Sequence, residues 1–151
     1  MPSPRRKLAA DTWGALLQVH AGLVPLIDRE VREQTGLPLA WYDILLELSS
    51  ASEGRLRMSE LAERVVLSRT RVSRLVDEMD QAGLVCRVEN PDDRRSAYCL
   101  LTDAGLRRFK AAAPIYLAAI ESRFAEGLTD RQLKDLQESL LCVKGRLDRQ
   151  P

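Results

Sequence analysis

Residues 56–102 predict a mainly α fold with a small β-wing, on three observations. Two short helix-like stretches follow one another across a tight break. The second carries arginines on its outward side. Two β-like runs then flank a polar tip, Asn90-Pro91-Asp92-Asp93-Arg94-Arg95. That order describes a winged helix-turn-helix, a module whose common use is to set one helix in the DNA major groove. The expected architecture is a single domain over 1–151. Its winged helix-turn-helix lobe covers 39–102, with a recognition helix at about 68–82 and a wing at about 84–101. Helical segments from both chain ends, 8–34 and 103–149, form the expected dimerisation region.

The elements follow in chain order. Leu8 to about Gln34 reads as a long first helix, which Pro25 should kink or interrupt because it removes a donor. Gly36 and Pro38 mark a break, and Ala40 to Ser50 reads as a second helix with Trp41, Ile44, Leu45 and Leu48 on one face. Ser59 is the expected N-cap of a third helix carrying Leu61, Ala62 and Val65. Ser68 is the expected cap of the recognition helix. Val72, Leu75, Val76 and Met79 fall at i, i+3, i+4 and i+7 and make its apolar stripe. Gly83 stands where a left-handed C-terminal residue costs little. The remaining face carries Arg69, Thr70, Arg71, Ser73 and Arg74, with no acid between Ser68 and Val76. Arginine binds guanine bidentately or a phosphate, and Ser and Thr contact bases or backbone. A solvated face with scattered arginines is the plainer reading, and the attached hairpin weighs against it.

In the hairpin, Leu84, Val85 and Val88 face Tyr98, Leu100 and Leu101 as a small sheet over a core. Pro91 and the two aspartates favour the turn. Arg94 and Arg95 sit where an extended arm reaches a minor groove, whose negative potential favours arginine. Asp92 and Asp93 would repel phosphate, so at least one of them is expected to hold an arginine in place. Thr102 then caps a long helix to about Ala125, with Pro114 as a bend, and Gly127 breaks it. Thr129 and Gln132 have capping-box spacing before a last helix bearing Leu133, Leu136, Leu140, Leu141 and Val143.

The run from Ser68 to Asp77, then Ala82-Gly83-Leu84-Val85, the wing Asn90 to Ser96, and Leu101-Thr102-Asp103-Ala104-Gly105 together resemble the multiple-antibiotic-resistance regulator (MarR) family of bacterial transcription factors. The combination of wing and Leu-Thr-x-x-Gly is specific, whereas the helix-turn-helix alone is not. Asn90 departs from the acid common at that place. The first helix has no cysteine, which sets the chain apart from peroxide sensors that carry one there. The resemblance implies a homodimer on double-stranded DNA and a small aromatic or phenolic ligand as input. Candidate lining residues for that ligand are Trp13, His20, Trp41 and Tyr42. Trp41, at helical spacing with Ile44 and Leu45, reads rather as core, and one histidine cannot by itself make a metal site.

Composition sets the outer bounds. The 151 residues can bury a core, and no apolar run approaches the roughly 20 residues needed to span a membrane. The formal net charge is +1, so any DNA binding depends on where the arginines lie. The basic run Met1 to Lys7 is followed by no secretory apolar segment, and a cytoplasmic location is expected. No catalytic triad, phosphate loop, cofactor motif or metal spacing appears, so an enzyme is not expected. Cys86 and Cys99 lie on opposite strands of the hairpin and are candidates for a redox pair. The other reading is three reduced cysteines, Cys142 included, acting as small apolar residues. The expected function is a transcriptional repressor on a pseudo-palindromic operator. A protein-binding winged module and a thiol-based redox regulator are the alternatives.

Overall fold

The computed structural model describes residues 3–65 and 67–149; Met1 and Pro2 of the basic N-terminal run lie outside them. Helix α1 spans Pro4–Thr35, α2 Leu39–Ser50, α3 Met58–Arg64 and α4 Arg69–Gln81. Strands β2 (Val85–Asn90) and β3 (Asp93–Leu101) follow, then α5 (Asp103–Ile120), a π-type turn over Glu121–Ala125, and α6 (Asp130–Leu147). A three-residue strand β1, Arg55–Arg57, precedes α3 and completes an antiparallel sheet of order β1-β3-β2. The fold is therefore mainly helical with a small β-wing.

Pro25 does not end α1, which stays helical through Thr35; the interruption expected there does not occur. Pro114 likewise sits inside α5. The cap expected of Ser59 comes instead from its neighbour Glu60. Arg57 occupies the N-cap position of α3, and its backbone N–H donates to Glu60 Oε2 at 2.9 Å, so an acid satisfies the orphan donor from inside the helix. Ser68 caps α4 by accepting from the Arg71 N–H at 3.2 Å. At the other end Gly83 adopts φ +74°, and the Leu84 N–H reaches back to the Met79 carbonyl at 3.0 Å, closing the helix in a Schellman-type turn. Thr129 and Gln132 form the reciprocal capping box of α6, at 3.3 and 2.9 Å.

Where the sequence reads as one domain, the chain gathers into two compact units. One is made of residues up to Pro25 and from Leu117 onward; the other is Leu26–Tyr116, wider at both edges than the lobe expected over 39–102. The central unit holds the core. Ile44, Leu45 and Leu48 of α2, Leu61 of α3, and Val72, Val76 and Met79 of α4 are all 0% exposed. Asp28 ties the end of α1 into it by accepting from the Leu39 N–H at 2.8 Å, which caps α2 across 11 residues of sequence. In the terminal unit the balance is reversed. Among the described residues, only Ala119 of the eighteen buried apolar residues belongs to it. Of the fifteen large apolar side chains left exposed, all but Leu26, Leu46 and Val88 do.

The Leu-Thr-x-x-Gly sequence acquires a reason here. The Leu84 carbonyl accepts from both the backbone N–H and the hydroxyl of Thr102, at 3.2 and 2.9 Å, and the same hydroxyl oxygen accepts from the Gly105 N–H at 3.0 Å. Gly105 packs directly over that carbonyl, where a Cβ would overlap the oxygen. One threonine and one glycine thus join the wing's first strand to the start of α5.

Candidate nucleic-acid interface

The stripe Val72, Val76 and Met79 is buried, which turns the opposite side of α4 outward. Arg69, Thr70, Arg71 and Arg74 are exposed there, as is the cap Ser68, and Ser73 is half-buried. The helical period splits these residues into two groups. Ser68, Thr70, Arg71 and Arg74, with Leu75, line a shallow depression of about 360 Å³. Arg69 and Ser73 face the wing instead. They share an open cleft of about 460 Å³ with Met58 and Ser59 of α3, Arg87 and Glu89 of β2, and the segment Arg94 to Ala97. Arg94 and Arg95 are exposed at the start of β3, beside the tip. Among the described residues Arg69, Arg71, Arg74, Arg94 and Arg95 have no acidic partner. An open concave surface edged by uncompensated guanidinium groups is suited to a phosphate backbone.

One aspartate of the tip holds an arginine, through its main chain. Asp93 Oδ1 accepts from the Arg95 backbone N–H at 3.0 Å, so it sets the arginine's main chain, not its guanidinium. The Asp92 N–H donates to Asn90 Oδ1 at 3.0 Å. Asn90 is only 5% exposed, and its amide donates to Ser96 Oγ at 2.9 Å, while the Ser96 hydroxyl donates to the Asp93 carbonyl at 3.2 Å. The departure from an acid at position 90 therefore has a use: an ionised carboxylate could not supply that donor.

Two arginines escaped the sequence reading. Arg87 donates from Nη1 to Ser73 Oγ and Asp77 Oδ1, at 3.0 and 2.9 Å. Arg57 lies about 6.0 Å from the Tyr98 ring centroid, and its guanidinium is pushed above its usual pKa chiefly by hydrogen bonding to the Tyr98 hydroxyl. Alternation on β2 was the available signal for Arg87, since it shares a face with the buried Val85.

The candidates for ligand and redox roles fare differently. Tyr42 is 4% exposed and packs on Phe109 and Tyr116, with ring centroids 5.1 and 4.5 Å apart. It is packed as a core aromatic. Burial, and then the nearby Asp43, raise its pKa. Trp41 is half-buried against the same core. Trp13, 59% exposed, and His20, also exposed, belong to the terminal unit. The cysteine pairing is corrected by register. Cys86 stands opposite Leu100, and Cys99 opposite Arg87, so the two thiols project from opposite faces of the sheet. Cys99 is fully buried, and desolvation pushes its thiol up to about 12, a value at which the reactive thiolate is absent at neutral pH. Thiol labelling of the folded protein is expected to modify Cys86 rapidly and Cys99 only on unfolding. Equal rates for the two would contradict this burial. Among the described residues no cluster fit to hold a metal is found, and no helix is long and apolar enough to cross a membrane.

Comparison with known proteins agrees with this geometry. The MarR family model matches residues 35–96. The HTH-type transcriptional repressor MdtR of Bacillus subtilis is 31% identical over 115 residues, 76% of this chain and 71% of that protein. Among solved structures, AbsC, a MarR family transcriptional regulator from Streptomyces coelicolor, superposes with a TM-score of 0.83 at 29% identity over 99% of both chains. Sco3205, a MarR family regulator from the same organism solved in complex with DNA, gives 0.85 at 29% identity, over 100% of this chain and 92% of that one. With its winged lobe, its arginine-bearing helix α4 and these relatives, the chain belongs to the MarR family of transcriptional regulators.

Proposed function

We propose that this regulator is a repressor that binds a pseudo-palindromic operator as a homodimer and is released by a small aromatic or phenolic ligand. The observation that carries the DNA reading is the set of five arginines without acidic partners among the described residues, three on α4 and two beside the wing tip. In this reading Ser68, Thr70, Arg71 and Arg74 enter the major groove. Arg69 meets the backbone at the cleft, where Ser73 faces a base edge, and Arg94 and Arg95 reach the flanking minor groove. The repressor role is supported by the related MdtR repressor.

The dimer is supported by the terminal unit, whose exposed leucines and valines on α1 and α6 need cover. A two-fold dimer would place its recognition helices about one DNA turn, roughly 34 Å, apart. Replacing Leu140 and Leu141, 42% and 57% exposed, by glutamate should leave each chain folded and shift the protein from dimer to monomer in sedimentation. A dimer that survives this change would remove α6 from the interface. A ligand would act by population shift, favouring a spacing of the two helices that mismatches the operator.

Selection of bound duplexes from a random pool tests the reading. It predicts an inverted repeat with half-sites one turn apart. Failure to enrich any sequence would count against operator binding and favour a protein partner.

A further inference from the structure

Arg87 joins the wing to the recognition helix through three hydrogen bonds. Its Nη1 donates to Ser73 Oγ at 3.0 Å and to Asp77 Oδ1 at 2.9 Å, and its backbone N–H donates to Asp80 Oδ2 at 3.2 Å. Positions 73, 77 and 80 are i, i+4 and i+7, so one residue of β2 holds a single side of α4 over two turns. Asp77 compensates the charge. Arg69, Arg94 and Arg95 share the cleft without such a partner among the described residues. Arg87 is thus the one arginine of the cleft already committed within the described protein.

The bond to Ser73 has a chemical consequence. A serine hydroxyl has one proton to give and two acceptor positions. Here the guanidinium occupies an acceptor position. Among the described residues no group accepts the Ser73 proton. The Arg69 carbonyl one turn back, a usual acceptor for a helical serine, is not bonded to it. Ser73 lines the cleft beside Arg69 and Arg94, so its unclaimed proton is available to whatever enters.

We infer that Arg87 is a positioning residue for DNA reading: it holds Ser73 as a hydrogen-bond donor toward a base acceptor, and fixes the spacing between the arginines of α4 and those of the wing, without touching DNA itself. The inference rests on the operator-binding reading above. Phosphate contacts set the salt dependence of binding and base contacts set its sequence preference, so a group that only positions others should alter the second and spare the first.

The test compares wild type, Arg87→Ala, Arg87→Lys and Asp77→Asn on the selected duplex and on an unrelated duplex, across salt. Arg87→Ala should lower the ratio of selected to unrelated affinity about tenfold per half-site with the salt slope unchanged, the size expected when one base goes unread. Arg87→Lys, which still reaches Asp77, should recover part of the ratio. Asp77→Asn keeps the side-chain shape, serves if Arg87→Ala does not fold, and should lower the ratio too. Ser73→Ala should weaken binding in the wild type and add nothing in Arg87→Ala. A salt slope shallower by about 0.9 per copy in Arg87→Ala would overturn the inference, because Arg87 would then bind phosphate itself. An unchanged ratio would also overturn it. Failure of the operator reading would show separately, as a wild type that selects no site. In that case the Arg87 side-chain N–H signals of the free protein still decide whether the clasp exists. They should be protected from exchange in wild type and exposed in Asp77→Asn, and equal exchange in both would refute it.

Discussion

Among alanine substitutions at this protein's glycines, Gly105→Ala is expected to be the most destabilising. A Cβ at that position overlaps the Leu84 carbonyl oxygen and comes within 2.9 Å of Leu101 Cδ1. The oxygen cannot retreat, because it accepts from both the N–H and the hydroxyl of Thr102. Alanine would ordinarily gain up to about 1 kcal/mol over glycine inside a helix. Overpacking against fixed backbone costs about 1–3 kcal/mol or more, and here the overlap is with a main-chain atom, so the cost wins. A net loss of about 2 kcal/mol should lower the melting temperature by several degrees, on the order of 4–8 °C for a chain of this size. Thr102→Val, which removes the hydroxyl from the same junction, should cost about 1–2 kcal/mol. Thermal unfolding followed by circular dichroism measures both. A Gly105→Ala protein as stable as wild type would mean that the wing and α5 are not joined at this glycine.

The largest effect on binding is expected from Arg71→Ala and Arg74→Ala. Both side chains are exposed on α4 and lack acidic partners among the described residues, so neither removal disturbs an ion pair inside the protein. Loss of a bidentate base interaction costs on the order of 1–3 kcal/mol and relaxes sequence preference at one position of each half-site. A dimer carries the change twice, so the whole-site loss should be about twice that of one half-site. Fluorescence anisotropy against the selected duplex and its single-base variants reads the outcome. Undiminished affinity in both variants would take the recognition role away from this face of α4.

Much of α4 and the wing could be read in the sequence, because the signals are local. Ser68, the four-residue apolar stripe and Gly83 fix α4 within a few residues of each other, and the arginines follow as its other side. The wing announced itself through Pro91 and the paired aspartates. What stayed hidden depends on partners distant in the chain. Strand β1 is three residues long and owes its conformation to β3, more than 40 positions later, with Leu56 opposite Cys99. Arg87 was not singled out, because its partners Ser73 and Asp77 lie 14 and 10 residues back along the chain. Cys86 and Cys99 seemed paired because hairpin position was visible and register was not; one step of register puts them on opposite faces. Tyr42 was set beside Trp41 as pocket lining, and only the approach of Phe109 and Tyr116 makes it core. The cap of α3 lies at Arg57 and not at Ser59, because Glu60 claims the same end of the helix.

The central claim is that α4 and the wing form one DNA-reading surface through arginines that the protein leaves uncompensated. Its most direct test is the salt dependence of binding to the selected duplex, for wild type and for Arg94→Ala/Arg95→Ala. The account predicts a steep fall in affinity with salt for wild type, and a slope shallower by about 0.9 for each phosphate that the variant no longer neutralises, taken over both copies. The same steep slope in wild type and double variant would contradict it, and would move the DNA away from the wing.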